Sequence, residues 1–196
     1  YFGTSTYPAH RVVQAQWAAR EHGLSRFATE QPNYSILQRG IEGHVLPVTE
    51  EYGMGVLAWS PLAGGWLTGR YRAGRELPVS RRAPLLPERY DMALPENVRK
   101  LELTERLAVL AEESGLTLIE MALAFVIRHP GVTSAIIGPR TMEHLESQLG
   151  AADVRLSDDV LDRIDEIVPP GTTVNPADAG YRPPALEDPA LRRRPS

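Results

Sequence analysis

The chain has no cysteine, no long hydrophobic run and no strong excess of charge of either sign. Without cysteine, a disulfide framework, a zinc–thiolate site and a thiol nucleophile are excluded. No stretch approaches the roughly 20 apolar residues that span a membrane, and no charged segment with an apolar run behind it opens the chain. The formal charge of −4 argues against an unaided binder of nucleic acid or membrane surfaces, because such binding needs a clustered basic face. We expect a cytoplasmic protein.

What is present suits a folded domain. Of the 196 residues, 42% are apolar and 23% charged, which is enough to form a hydrophobic core. The chain opens on Tyr1, directly in a strand-like segment, and we expect it to begin in the middle of a domain.

Short apolar runs bounded by Gly, Pro or Asn alternate with longer stretches of helical period, which predicts strands separated by helices. The predicted strands are 1–5, 26–31, 55–59 and 133–137. The predicted helices are 8–22, 41–52, 96–114, 119–128, 142–150 and a last one from the N-cap Ser157 to about Ile167. Residues 72–95 are predicted to form a long irregular loop, and the Pro- and Arg-rich tail 169–196 to wrap a surface or to be disordered.

Strands separated by helices indicate an α/β protein with a parallel sheet. An open doubly wound sheet and a barrel both fit. A complete eight-stranded barrel takes about 250 residues, so four strands predict either half of a barrel or a small open sheet.

Ligands of such folds bind at the carboxyl ends of the strands, where this chain places polar and glycine residues. Gly138 and Arg140 open a helix and suit a phosphate group, or they are a turn glycine and a surface charge. Trp59 either stacks on a flat ring or packs in the core. Ser5 and Gln31 either bind a carboxamide or satisfy the backbone.

Other motifs are weak. The pattern G-x-G-x-x-A at 53–58 precedes its strand, whereas a dinucleotide fingerprint follows it, so we discard this match. Glu30 is the only carboxylate near the end of a predicted strand, and no nucleophile–base pair is evident.

Four segments of the chain carry distinctive motifs. The segment 59–71, WSPLAGGWLTGRY, is similar to the region after the seventh barrel strand of the aldo-keto reductase family. The segment 135–150, AIIGPRTMEHLESQLG, resembles its eighth strand and cofactor-binding helix. The segment GTST at 3–6 resembles the end of the family's fifth strand, and EQPNYS at 30–35 resembles the end of its sixth strand. The four motifs occur in the family's order and cover about residues 1–168.

The resemblance implies a TIM (β/α)8 barrel, of which this chain holds the last four β/α units, a C-terminal helix and the tail. It implies NADP as cofactor and hydride transfer to or from a small-molecule carbonyl or alcohol. Ser5 and Gln31 would hold the nicotinamide carboxamide, and Trp59 would stack on its ring. The remaining implied contacts are Ser60, Pro61, Leu62 and Gly64 at the pyrophosphate, Gly138 and Arg140 at the adenosine phosphate, and His144 and Gln148 beside the adenine.

This sequence departs from the family's pattern in several places. The family often has Asn where Thr6 stands, Gln at His144 and Asn at Gln148. The catalytic Asp, Tyr, Lys and His of the family lie on the first half of the barrel, which this chain does not contain, so no catalytic residue is assigned. The alternatives are a non-catalytic nucleotide-binding or regulatory module and a half-barrel that self-associates through its exposed edges.

Overall fold

The computed structural model describes residues 1–193; residues 194–196 of the predicted tail lie outside the described residues. The architecture is α/β, with one sheet of four parallel strands in the order β1-β2-β3-β4. The strands are β1 Gly3–Ser5, β2 Thr29–Gln31, β3 Gly55–Trp59 and β4 Ser134–Ile136. The helices are α1 Ala9–Glu21, α2 Val45–Glu51, α3 Pro95–Glu113, α4 Leu118–Arg128, α5 Met142–Leu149, α6 Asp158–Ile167 and α7 Pro184–Glu187.

The two faces of the sheet differ in burial. Thr4, Glu30 and Val56 are aligned by strand pairing and are all buried, and Val56 belongs to the hydrophobic core together with residues of α3, α4 and α6. The neighbouring positions alternate to the other face, where Ser5 is exposed and Ile136 is 39% exposed. The helices therefore cover one face, and the other face remains partly open.

The helix predicted over 41–52 is broken in the structure. A 3-10 turn at Gly40–Gly43 is followed by α2, and His44 between them has φ −143°, outside the helical region. Pro47 explains where the helix starts, because proline lacks an N–H and is tolerated only in the first helical turn. The other predicted helices are confirmed to within two residues, and so are the bounds of β3. The other three strands are shorter than predicted, and β2 begins at Thr29 rather than at Arg26.

Side chains cap two of the helices that build the core. Ser157 Oγ accepts a hydrogen bond from the Val160 N–H at 3.3 Å, as the sequence predicts for the N-cap of α6. At α4, Thr117 Oγ1 accepts from the Glu120 N–H at 3.2 Å, while the Glu120 carboxylate accepts from the Thr117 N–H at 2.8 Å. This capping box fixes the start of a helix that is mostly buried.

The first part of the tail packs against the body of the protein. Val174 and Asn175 are buried, and the Val174 N–H donates to the Leu37 carbonyl at 3.1 Å. None of the helices within residues 1–193 is both long enough and apolar enough to cross a lipid bilayer.

Candidate functional site

Two of the predicted ligand-binding residues, Ser5 and Trp59, meet at the backbone carbonyl of a third, Gln31. Ser5 Oγ donates to this oxygen at 3.0 Å, the Thr6 N–H at 3.2 Å and the Trp59 indole Nε1–H at 3.1 Å. The parallel pairing of β1, β2 and β3 brings the three strand ends together, and these hydrogen bonds fix the orientation of Ser5 and Trp59.

The backbone is strained directly after two of these strands. Thr6 follows β1 with φ +58°, and after β3 Ser60 has φ +60° and Ala63 has φ +49°. Non-glycine residues rarely adopt this left-handed region, and where they do they often mark a functional site. Gly64 continues the turn at φ +68°, and a Cβ there would come within 2.6 Å of the Tyr90 hydroxyl, so this position needs glycine.

A cavity of about 250 Å³ lies beside the turn that follows β3, and none of Ser5, Thr6 and Gln31 lines it. Its walls come from the segments that follow β2 and β3, from the loop between β3 and α3, and from the tail. It is lined by Asn33, Ser35, Leu37, Gln38, Trp59, Ser60, Ala63, Gly64, Arg82, Leu86, Arg89, Tyr90 and Asp178. Trp59, Ser60 and Gly64 are thus the predicted residues that reach the cavity, whereas Pro61 is buried and Leu62 packs against the core.

Part of the cavity wall comes from segments for which the sequence predicts no site residue. No motif in the long loop or the tail predicts a ligand-binding residue. These two segments nevertheless contribute Arg82, Arg89, Tyr90 and Asp178 to the wall. The Tyr90 hydroxyl donates to the Gly64 carbonyl at 2.9 Å, and the Asp178 carbonyl accepts from Asn33 Nδ2 at 2.6 Å. No periodicity marks these residues, since they belong to irregular segments.

The cavity wall is mixed, with apolar side chains beside polar and charged ones. Asn33 Oδ1, Ser35 Oγ and Gln38 Oε1 are buried and have no hydrogen-bond partner among the described residues. Arg82 and Arg89 bring two guanidinium groups, and Arg89 Nε lies 3.6 Å from Asp178 Oδ1. Unpaired buried polar atoms are costly, so this wall favours a polar occupant over an apolar one.

The buried carboxylate of Glu30 forms hydrogen bonds on both sides of the strained turn that follows β1. It accepts hydrogen bonds from the Thr4 hydroxyl and, at 3.0 Å, from the Tyr7 N–H. Burial raises the pKa of Glu30, and these hydrogen bonds oppose the rise. The Glu30 side chain lies on the helix-covered face of the sheet. Because its carboxylate accepts from the Tyr7 N–H, it holds the turn at Thr6 in position.

The residues predicted to bind the adenosine end lie at β4 and α5. Thr141 Oγ1 caps α5 by accepting from the His144 N–H at 3.2 Å, and Gln148 Nε2 donates to the His144 carbonyl at 2.7 Å. Gly138, Arg140 and His144 are exposed, and within residues 1–193 Arg140 has no hydrogen bond or ion pair. β4 pairs with β3, so the residues that follow β4 lie next to the turn at 60–65. None of Gly138, Arg140, His144 and Gln148 lines the cavity.

Comparison with known proteins decides the family. The family model described as the aldo/keto reductase family matches residues 1–169. The chain belongs to the aldo/keto reductase family.

Its relatives include enzymes and proteins named as channel subunits. Over 170 residues it is 35% identical to the uncharacterized oxidoreductase YrpG of Bacillus subtilis, which covers 86% of this chain and 49% of that protein. It is 34% identical over 175 residues to a probable voltage-gated potassium channel subunit beta of Arabidopsis thaliana, covering 86% of this chain and 52% of that protein. The rice protein of the same name is 32% identical over 176 residues, with the same coverage of both chains. The chain spans about half the length of the curated relatives it matches.

Proposed function

We propose that residues 1–168 are the cofactor-binding, C-terminal half of an NADP-dependent oxidoreductase. The whole protein would reduce small-molecule carbonyls or oxidise alcohols by hydride transfer, and would be cytoplasmic. The observation that carries this proposal is the convergence of Ser5, Thr6 and Trp59 on the Gln31 carbonyl, at the carboxyl ends of parallel strands.

The sheet itself supports the half-barrel interpretation. Four parallel strands in sequential order, with helices over one face, are what half of a (β/α)8 barrel contains. The partly open second face, with Ser5 and Ile136 exposed, would line the barrel interior once four further strands closed it. The catalytic Asp, Tyr, Lys and His would lie on those strands, and the tail 169–196 would remain outside the barrel.

The nicotinamide end of the cofactor would lie at β1–β3. Bound NADPH supplies the hydride, and the protein supplies its orientation. The Gln31 side-chain amide makes no hydrogen bond to any of residues 1–193, so it is free to meet the nicotinamide carboxamide, with Ser5 beside it. Trp59 is held by its indole N–H, which leaves the ring face for stacking.

The phosphate groups would lie along the turn after β3 and the start of α5. Ser60 and Gly64 would line the pyrophosphate, with Pro61 and Leu62 packed behind them. The exposed guanidinium of Arg140, unpaired within the described chain, suits a bidentate contact with the adenosine 2′-phosphate, which favours NADP over NAD.

A second candidate function is a non-catalytic nucleotide-binding module. The relatives named as potassium channel subunits favour it. In this alternative the chain would bind NADP without hydride transfer. Self-association through the open sheet face is a third possibility, in which a second copy takes the place of the missing strands.

Calorimetric titration with NADPH and NADH, with size-exclusion chromatography of the same samples, tests the proposal. We expect saturable binding of one cofactor per chain, tighter for NADPH. A monodisperse chain that binds neither nucleotide would refute the cofactor assignment. A dimer that binds neither would favour self-association.

A further inference from the structure

A second cavity, of about 590 Å³, lies between the tail and the segments that follow β1 and β2. Its sides include the first turn of α1 and the start of α2, two of the helices that cover the sheet. Ser5, Gln31 and Trp59 do not line it, so it is separate from the residues proposed to hold the nicotinamide. Its volume lies within the range of small-molecule sites, which is about 300–1,000 Å³.

Backbone hydrogen bonds hold the tail where it closes this second cavity. Gln38 and Thr173 pair in antiparallel orientation, and next to them the Val174 N–H donates to the Leu37 carbonyl at 3.1 Å. The tail wall is therefore formed before a ligand binds. A preformed wall lowers the conformational entropy that binding has to remove.

The walls of the second cavity favour an uncharged, flat ligand. Pro32, Ile41 and Val45 are buried in it, whereas Tyr7 and Tyr181 line it and remain 42% and 37% exposed. Among the described residues that line this cavity there is no Asp, Glu, Lys or Arg, in contrast to the first cavity, beside the turn after β3. A charged ligand would lose its hydration here without gaining an ion pair. An aromatic ring would instead cover the exposed tyrosine rings.

The side-chain amide of Gln38 supplies a polar group without a partner. Gln38 lines both cavities and is 3% exposed, and its Oε1 atom is buried without a hydrogen bond. Its Nε2 atom makes no hydrogen bond to any of residues 1–193 either. Buried amides are normally paired, and this one offers both a donor and an acceptor. A ligand group that both donates and accepts would satisfy it.

We propose that the second cavity is a binding site for a small, uncharged aromatic molecule that carries a carboxamide. The ring would lie against Tyr7 and Tyr181, and the carboxamide would exchange hydrogen bonds with the Gln38 amide. The site would exist beside the proposed cofactor site and does not depend on it, because none of the residues proposed to hold the nicotinamide takes part.

Equilibrium dialysis of the full chain with 2-naphthamide tests the proposal. We expect saturable binding of one molecule per chain. In 2-acetylnaphthalene a methyl group replaces the amide nitrogen, so this probe cannot donate and should bind about tenfold more weakly. The anion 2-naphthoate should also bind more weakly than 2-naphthamide, since no Lys or Arg lines the cavity.

The variant Gln38→Leu removes the amide and keeps the backbone pairing with the tail. It should abolish the preference, so that 2-naphthamide and 2-acetylnaphthalene bind equally well. Gln14→Leu is the matched control, because Gln14 is exposed on α1 and lies outside the cavity. The tenfold preference should persist in Gln14→Leu.

Two further variants locate the bound probe, which Gln38 alone cannot do because it lines both cavities. Tyr181 lines only the second cavity and Trp59 only the first. Tyr181→Ala should weaken the binding of 2-naphthamide by up to about tenfold, and Trp59→Leu should leave it unchanged. The reverse result would place the probe in the first cavity and overturn the proposal.

The wild-type chain alone can also overturn the proposal, so the test stands even if a variant fails to fold. Either a lack of saturable 2-naphthamide binding or equal binding of 2-naphthamide and 2-acetylnaphthalene would do so. A preference that survives in Gln38→Leu would remove the amide from the site. None of these measurements uses NADPH, so their outcome is independent of the proposed function.

Discussion

The two ends of the proposed cofactor site are built in different ways. At β1–β3, Ser5, Thr6 and Trp59 are locked onto one carbonyl, and the turn beneath them rests on the buried Glu30. At β4–α5, Arg140 is exposed and unpaired among residues 1–193, and Gln148 bonds within its own helix. The β1–β3 end is preorganised by hydrogen bonds to the Gln31 carbonyl. The β4–α5 end instead presents the exposed charge of Arg140 to solvent.

This difference predicts a division of labour. A preorganised end loses little conformational entropy on binding and fixes geometry, which is what a hydride donor needs. An exposed guanidinium adds affinity and selectivity for phosphate that depend on ionic strength. Substitutions at the first end should therefore change stability and geometry, and those at the second should change mainly nucleotide preference.

The largest effect is expected at Glu30. Glu30→Ala leaves the Tyr7 N–H and the Thr4 hydroxyl without their acceptor, and should lower the free energy of unfolding by about 2–4 kcal/mol. Glu30→Gln keeps an acceptor and removes the charge that burial opposes, so it should be milder. Urea unfolding of both variants checks this; equal losses would contradict it.

Comparison of the wild-type chain with Glu30→Gln tests how the free energy of unfolding depends on pH. Burial raises the pKa of Glu30 above 4.5, so the folded chain binds this proton more tightly than the unfolded chain. The contribution of Glu30 to the free energy of unfolding is therefore complete below pH 4.5 and is lost as the pH rises through the raised value. Wild-type stability relative to Glu30→Gln should decrease over that window; an increase would reverse the sign and refute the assignment.

The next effect concerns the stacking residue. Trp59→Leu removes the ring and the hydrogen bond to the Gln31 carbonyl, and should weaken NADPH and NADH binding alike by about 2 kcal/mol, or roughly 30-fold. Trp17→Leu is the control, because Trp17 is 61% exposed on α1. Calorimetric titration of both variants with each nucleotide checks this prediction. Weaker binding of NADPH with unchanged binding of NADH would place the phosphate end of the cofactor at β3.

A smaller and more selective effect is expected at Arg140. Arg140→Met should weaken NADPH binding by about tenfold and leave NADH binding nearly unchanged, because only NADPH carries the 2′-phosphate. The difference should shrink as salt is added. Arg155→Met, another exposed arginine, serves as the control. Equal losses for both nucleotides would remove Arg140 from the phosphate site.

The smallest effect is expected at Gln148. Its side-chain amide already bonds the His144 carbonyl, so Gln148→Ala should change NADPH affinity by no more than a few tenths of a kcal/mol. A loss above about tenfold, measured by the same titration, would show that the helix end is as organised as the strand end.

The sequence predicted the regular parts of this molecule because their signals are local. Hydrophobic period and terminating residues locate the strands and helices, whereas Ser5, Gln31 and Trp59 are predicted as cofactor contacts by motif resemblance. The break before α2 is not predicted, because Gly43 and Pro47 lie inside a segment of helical period.

The part of the first cavity's wall that the long loop and the tail contribute could not be predicted in the same way. Arg89 and Asp178 lie in irregular segments, and their contacts join residues far apart in the chain. Lys100 carries a charge on an amphipathic helix, a position that is normally exposed, and only its long-range partners explain its burial.

Energy transfer from tryptophan to the reduced nicotinamide ring tests the central claim most directly, because it reports which tryptophan the ring approaches. Trp17→Leu removes the exposed background signal, leaving Trp59 and the buried Trp66. We predict that most of the transfer at saturating NADPH disappears when Trp59→Leu is added to this variant. Unchanged transfer at equal saturation would mean that the nicotinamide does not lie against Trp59, and would contradict the proposed site.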